Sequence, residues 1–398
     1  MSVNLQKCVW NMEKGAVGLM AFYAWTDTLI LNMCNTKATY FSDKKATLFV
    51  LKMPRLSSEL IESVKKYHVF DDIFEIELPL FELVKGKPLS LREKLDKLLA
   101  GRRLKNYYFG EYRKHVGDRK YTKLFTGAFW ANTLFLYRYL SETNQDLNIE
   151  LVEEGLANYN SSIVWDFKCL PTVKKTELLM RYMYFMRVWK RAKANTIRKY
   201  IYHPGFANTA HDMDIVQLPQ ISNGVCREIL ELSGKNIDMS EYNSRRVFFF
   251  AGLELYEHYI SRFMNILTSV QDVASAKDIL LKIHPTFKKL EINTCSDVFV
   301  DRRNYFFEAA VCSIDIEEKI FVVLHSTLPL MLKNTTQCEP VIIITYKLYN
   351  LAHEFEIEEC KAFVTYIREL YIRPDKIYVP ENLDELKAIL LHHMVDVK

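Results

Sequence analysis

Short apolar runs alternating with amphipathic stretches set the plan of this chain. Ala16 to Ala24 reads as a strand, followed by a helix N-capped near Thr26 or Asp27. Ala46 to Lys52 predicts a second strand, Ser57 to Tyr67 a helix with a Ser cap, and Asp72 to Leu78 a third strand. Leu89 to His115 carries helical periodicity, Lys123 to Trp130 is strand-like, Thr133 to Ser141 helical, and Asn148 to Val152 a strand. Strands separated by helices of this length imply βαβ units and a parallel sheet.

Lys174 to Tyr202 reads as helical, with Leu178, Leu179, Tyr182, Met183, Phe185, Met186 and Trp189 in an apolar stripe. A strand near Asp214 to Leu218 and a helix near Gly224 to Leu232 lead to a break at Ser233-Gly234-Lys235-Asn236. A second series then opens with Arg246 to Ala251, followed by the helix Leu255 to Thr268 and a strand within Asp278 to Ile283. Asp297 to Val300, Glu308 to Cys312, Lys319 to Leu324 and Val341 to Tyr346 continue it. The class is α/β. Residues 1–235 are expected to form one Rossmann-like domain and 236–398 a second, whose last helix is placed to pack back on the first.

Composition narrows this little. The 398 residues suffice for two cores, and the net charge of +4 is too small to argue for a nucleic-acid partner. No apolar run reaches membrane-spanning length, and Lys7 and Lys14 do not front a signal peptide. Eight Cys residues include no Cys-x-x-Cys pair and no zinc spacing, which suits reduced thiols in a cytoplasmic protein. The basic residues Arg187, Lys190, Arg191 and Lys193, off the apolar stripe, offer a surface for peripheral contact with an anionic membrane through the segment 174–202.

Three places carry chemistry. Asn148 to Val152 runs into Glu153-Glu154-Gly155, where adjacent like charges raise the pKa of at least one carboxylate and suit a general base. Asp278 to Ile283 ends in His284-Pro285 beside Lys282, and the Pro forces the His out of helical geometry at a strand's carboxyl end, where open α/β sheets place ligands. Ile320 to Leu324 stops at Ser326-Thr327, with Pro329 in the first turn of a helix, a potential anion site that a plain N-cap explains equally well. A further His-Pro, His203-Pro204, follows the basic helix and precedes Gly205, and so reads as a helix stop and turn.

In this order, Glu153-Glu154-Gly155, Lys282-x-His284-Pro285 and Ser326-Thr327, the set resembles the bacterial sialyltransferases and polysialyltransferases with an acidic-acidic-Gly motif, a Lys-x-His-Pro motif and a later Ser/Thr pair. The resemblance implies a GT-B fold, two Rossmann-like domains facing each other across a cleft. It implies inverting, metal-independent transfer of sialic acid from CMP-sialic acid, with no other cofactor, to a hydroxyl of a glycan acceptor of surface-oligosaccharide or capsule type. By match, Glu154 would be the general base and His284 the partner of the departing phosphate. Ser326 and Thr327 would bind that phosphate, Lys282 and Pro285 would shape the nucleotide pocket, and Glu308 would hold the ribose. Glu153 and Gly155 would lie on the acceptor side. Two other readings stand beside it: a GT-B transferase using another nucleotide sugar, and a non-catalytic sugar-binding relative.

Overall fold

Apolar runs too short for helices, and unbroken by polar alternation, are what a sheet covered on both faces requires. They assemble here into two parallel sheets. The computed structural model describes residues 18–53, 56–77, 105–155, 158–159, 186–207, 213–221, 224–251, 259–284, 292, 294, 297–303, 305–324, 326–349 and 354–395.

The first sheet holds β1 (Leu19–Ala24), β2 (Ala46–Lys52), β3 (Asp72–Glu77), β4 (Tyr121–Thr126), β5 (Asn148–Val152), β6 (Thr196–Ile201) and β7 (Asp214–Gln217), in the order β3-β2-β1-β4-β5-β6-β7. The second holds β8 (Val247–Ala251), β9 (Ile279–Ile283), β10 (Phe299–Asp301), β11 (Ile320–Val323), β12 (Val341–Ile344) and β13 (Ile377–Tyr378), in the order β10-β9-β8-β11-β12-β13. Strand order reverses between β1 and β4 in one sheet and between β8 and β11 in the other. Ligands of such sheets bind outside the carboxyl ends at these reversals, and here both reversals open onto the same cleft.

Aromatic stacking fills both cores. Phe22 lies flat on Phe125 with ring centroids 4.2 Å apart, and Phe70 meets its edge at 5.2 Å. In the second domain Phe248 packs edge-on against Phe321 at 5.2 Å, and Phe249 stacks on Phe263 at 5.4 Å. The helix Val225–Gly234 packs against both Ser58–Lys66 and Phe307–Val311. A Cβ on Gly234 would stand 2.7 Å from the Ala309 carbonyl oxygen, so the absent side chain permits that approach.

Two expectations need correction. Thr196–Ile201, expected to continue the basic helix, is a strand: the helix stops at Ala194 and the chain pairs parallel to β5. Arg198 and Lys199 hid an extended pattern that Thr196, Ile197, Tyr200 and Ile201 favour. His203-Pro204 therefore follows a strand, not a helix. Among the described residues the last helix, Leu383–Val395, packs within the second domain and not on the first: Leu386 and Leu390 sit in the second core, beside the helix Ile260–Gln271. The preceding helix, Glu354–Leu370, makes that contact instead, with Tyr366 stacked on Phe206 at 4.7 Å. The expected apolar stripe falls mainly on residues 178–185, outside the described residues.

Phe22 is fully buried. Phe22→Ala is expected to cost about 3–5 kcal/mol, transfer and cavity terms together. Denaturant unfolding measures it, and a loss below about 1 kcal/mol would contradict the tight packing of the Phe22–Phe125 stack.

Candidate functional site

Past the end of β5 the paired carboxylates part. Glu153 turns inward and is buried; its carboxylate accepts hydrogen bonds from the Tyr159 hydroxyl and from the Tyr202 backbone N–H, the latter at 2.8 Å. Burial pushes its pKa up to about 7, against the lowering effect of those two bonds. Desolvation, not its neighbour's charge, drives this rise. Glu154 is half-buried and lines the cleft. Its backbone N–H donates to Asn158 Oδ1 at 2.8 Å. Gly155 has φ +157°, and a Cβ there would lie 3.9 Å from Thr327 Cγ2, so this turn faces the second domain directly.

On the opposite edge β9 delivers His284, exposed at the cleft, its backbone N–H donating to the Ala251 carbonyl at the end of β8 at 2.7 Å. Lys282 lines the same cleft but is buried, its Nζ 3.3 Å from Asp301 and 3.0 Å from the Arg303 carbonyl, above the Tyr305 ring. Burial lowers the Lys282 pKa, opposed by Asp301. Burial acts upwards on Asp301, yet Lys282, Arg303, Tyr242 and Tyr305 together hold its carboxyl well below the usual range. Pro285 lies outside the described residues.

Ser326 and Thr327 lead into the helix Leu328–Thr335, with Pro329 in its first turn. Ser326 Oγ accepts from the Leu328 N–H at 3.1 Å, while Thr327 makes no side-chain cap bond. Glu308 stands beside them in the cleft and accepts a hydrogen bond of 3.1 Å from Thr28, at the start of the first domain's helix Asp27–Tyr40. Burial pushes the Glu308 pKa up to about 7; the Thr28 bond works against this and the Asp27 charge with it.

One cleft of about 500 Å³ therefore gathers Glu154, Lys282, His284, Glu308, Ser326 and Thr327, with Phe250, Tyr305 and Phe307 as aromatic walls. His203 lies elsewhere, buried against Tyr366 with its pKa lowered to about 4 by burial. Residues that sequence reading missed are the supports: Thr28, Asn158, Tyr159, Tyr202 and Asp301. Asp301-Arg302-Arg303 after a strand was a readable signal; Asn158, in an irregular turn, gave none. Among the described residues no three His, Cys, Asp or Glu side chains gather as a metal site, and no helix is long and apolar enough to cross a membrane.

No protein-family model matches the chain, and no curated protein is significantly similar to it. Solved structures do match. The Arabidopsis thaliana UGT89C1 complexed with UDP-L-rhamnose aligns at TM-score 0.50 and 8% identity, over 96% of this chain and 90% of that one. A putative UDP-N-acetylglucosamine 2-epimerase from Listeria monocytogenes aligns at 0.49 and 8%, over 95% and 88%. The glycotransferase of kitacinnamycin aligns at 0.48 and 9%, over 95% and 91%. At such identities the likeness is one of fold: two Rossmann-like domains in the GT-B arrangement.

The buried Glu153 gives a pH signature. Its folded pKa, about 7, exceeds the ordinary 4.5, so the folded state binds the extra proton between those values and stability falls as pH rises through that window. Glu153→Gln keeps an oxygen for Tyr159 and Tyr202 and removes the titration. The variant should match wild type near pH 5 and gain on it steadily towards pH 7.5 in thermal melts. A pH-independent difference would show that Glu153 is ionised throughout.

Proposed function

We propose that the protein is an inverting, metal-independent sialyltransferase that moves sialic acid from CMP-sialic acid to a hydroxyl of a glycan acceptor. The observation that carries this is the meeting, in one cleft, of a carboxylate from the first sheet with a His and a Ser/Thr pair from the second. On this reading Glu154 takes the proton of the acceptor hydroxyl as its oxygen attacks the anomeric carbon. The bond from that carbon to the phosphate oxygen breaks on the opposite face, and CMP leaves with the electron pair. Negative charge grows on the phosphate, where His284, the Ser326 and Thr327 hydroxyls and the helix N-terminus are the donors; each such donor is worth on the order of 3 kcal/mol in transfer reactions. A base on the acceptor contributes roughly a hundredfold or more.

Glu308 holds the ribose hydroxyls, and Lys282, braced by Asp301, shapes the nucleotide pocket. The donors named for the phosphate are side-chain hydroxyls, a His and backbone N–H groups, while Lys282 is already paired with Asp301. That set suits a single phosphodiester charge. The exposed Lys190, Arg191 and Lys193 supply the surface for peripheral contact with an anionic membrane on its cytoplasmic side.

Thermal shift with CMP, UDP and GDP, followed by transfer from CMP-sialic acid to galactosides and sialosides in EDTA, tests the donor and the metal. CMP should give the largest stabilisation and transfer should persist. A preference for UDP or GDP would favour the GT-B transferase of another nucleotide sugar, loss on chelation restored by Mg²⁺ or Mn²⁺ would move the protein to a metal-dependent class, and binding without transfer or hydrolysis would leave a sugar-binding protein.

The roles separate by mutation. Glu154→Gln should cut transfer roughly a hundredfold or more with CMP affinity within a few-fold of wild type. The Ser326→Ala, Thr327→Ala double variant should weaken CMP itself in calorimetric titration. His284→Ala should cost about two orders of magnitude in rate and His203→Ala only a few-fold. Wild-type transfer by Glu154→Gln would reduce Glu153-Glu154-Gly155 to a turn.

A further inference from the structure

The carboxylate of Glu154 has an unusual seat. A Cβ on Gly127, in the loop that follows β4, would lie 2.8 Å from Glu154 Oε2, 3.1 Å from Glu154 Cβ and 3.0 Å from Leu29 Cδ2. The Glu154 side chain therefore lies over the bare Cα of Gly127, in space that any other residue would fill. Gly127 is itself held. Asn158 Nδ2 donates to the Gly127 carbonyl at 2.8 Å, while Asn158 Oδ1 accepts from the Glu154 N–H at 2.8 Å.

The backbone of Asn158 completes the fastening. Its N–H donates to the Gly155 carbonyl at 3.0 Å, and its carbonyl accepts from Lys199 Nζ, on β6, at 2.6 Å. Asn158 is only 3% exposed. One buried side chain thus joins the loops after β4 and β5, and its main chain joins both to β6. A turn that only had to reverse the chain would need the bond to Gly155 and no side-chain bridge to a neighbouring strand's loop.

We infer that Gly127 and Asn158 are positioning residues that together set where the Glu154 carboxylate enters the cleft: Asn158 fixes the seat, and Gly127 leaves it vacant of side chain. The inference rests on the reading of Glu154 as general base. Misplacement of a reacting group by 1 Å can cost about a hundredfold in rate, and a Cβ at 2.8 Å from an oxygen forces a shift of several tenths of an ångström.

Three variants dissect the device. Gly127→Ala keeps every hydrogen bond and displaces only the side chains above it. Asn158→Asp keeps the acceptor for the Glu154 N–H but loses the donor to Gly127. Asn158→Ala loses both. Gly127→Ala is expected to lower kcat for sialyl transfer about tenfold or more, with the donor KM and calorimetric CMP affinity within twofold, and Asn158→Asp to lower it in the same manner. The same substitutions are then made in the Glu154→Gln background, where a residue that acts through Glu154 has nothing left to lose, so the further drop in residual transfer should be absent.

Equal losses in both backgrounds would show a general structural role and overturn the inference. So would wild-type kcat in Gly127→Ala. If Glu154→Gln itself transfers at the wild-type rate, the base assignment falls and this inference with it, a result distinct from the other two. Should Asn158→Ala fail to fold, Gly127→Ala, which removes no bond, still decides.

Discussion

The first domain depends on a helix that buries its polar face. Asn32, Asn35 and Thr36 of Asp27–Tyr40 are 2%, 6% and 0% exposed, and a buried amide without partners costs on the order of 1–3 kcal/mol per unmet group. Each is met. Asn32 Nδ2 donates to the Glu153 carbonyl at 2.8 Å and its Oδ1 accepts from the Tyr202 hydroxyl at 2.8 Å. Asn35 Nδ2 reaches the Tyr202 hydroxyl at 3.2 Å and the Pro219 carbonyl at 2.8 Å. The loops beyond β5, β6 and β7 are thereby set against one helix, and the desolvation of its amides makes their positions hard to vary separately. Thr28 at its start carries the same helix to Glu308 in the second domain.

Beside Glu154 and beside His284 stands a buried ionisable group, and the two sides solve burial differently. Glu153 has hydrogen bonds from Tyr159 and Tyr202 and, among the described residues, no cation, and desolvation brings its pKa to about 7. Lys282 is buried beside the fully buried Asp301, with Tyr242, Tyr305 and Arg303 completing the set. Removing one partner of such a pair strands the other charge, which typically costs about 3–5 kcal/mol. The first anchor can shed its charge; the second must keep both of its own.

Strand positions were readable because parallel strands need continuous apolar runs: Ala46–Lys52 and Asn148–Val152 appear with the expected bounds. Thr196–Ile201 escaped because Arg198 and Lys199 can lie in a strand where one bonds at the sheet edge and the other reaches a carbonyl inside, and charge alone does not exclude that. The cleft residues were legible as short motifs at strand ends, since topology places strand ends together. Their supports were not. Asn158 acts through a neighbouring strand's loop, and Gly127 matters for what it lacks; both facts exist only once β4 and β5 are side by side. The chain that touches the first domain from the second was misassigned for the same reason, because the contact of Tyr366 with Phe206 is a property of three-dimensional placement.

At the cleft the two domains are joined by the hydrogen bond of Thr28 to Glu308, beside Phe306, which is buried in the first core. A carboxylate has about four acceptor positions, so a Glu308 that holds Thr28 retains capacity for the two hydroxyls of a ribose. On the proposed reading, donor and interdomain contact then share one carboxylate without competing for it. Occupation of the second domain would strengthen the charge on Glu308, since hydrogen bonds to the ionised form lower a raised pKa, and a fully charged Glu308 is the better acceptor for Thr28. On that reading, binding the donor would tighten the link to the helix that holds the Glu153 carbonyl. The acceptor base and the leaving-group site, carried on separate sheets, would on that reading be joined by the carboxylate that the nucleotide engages.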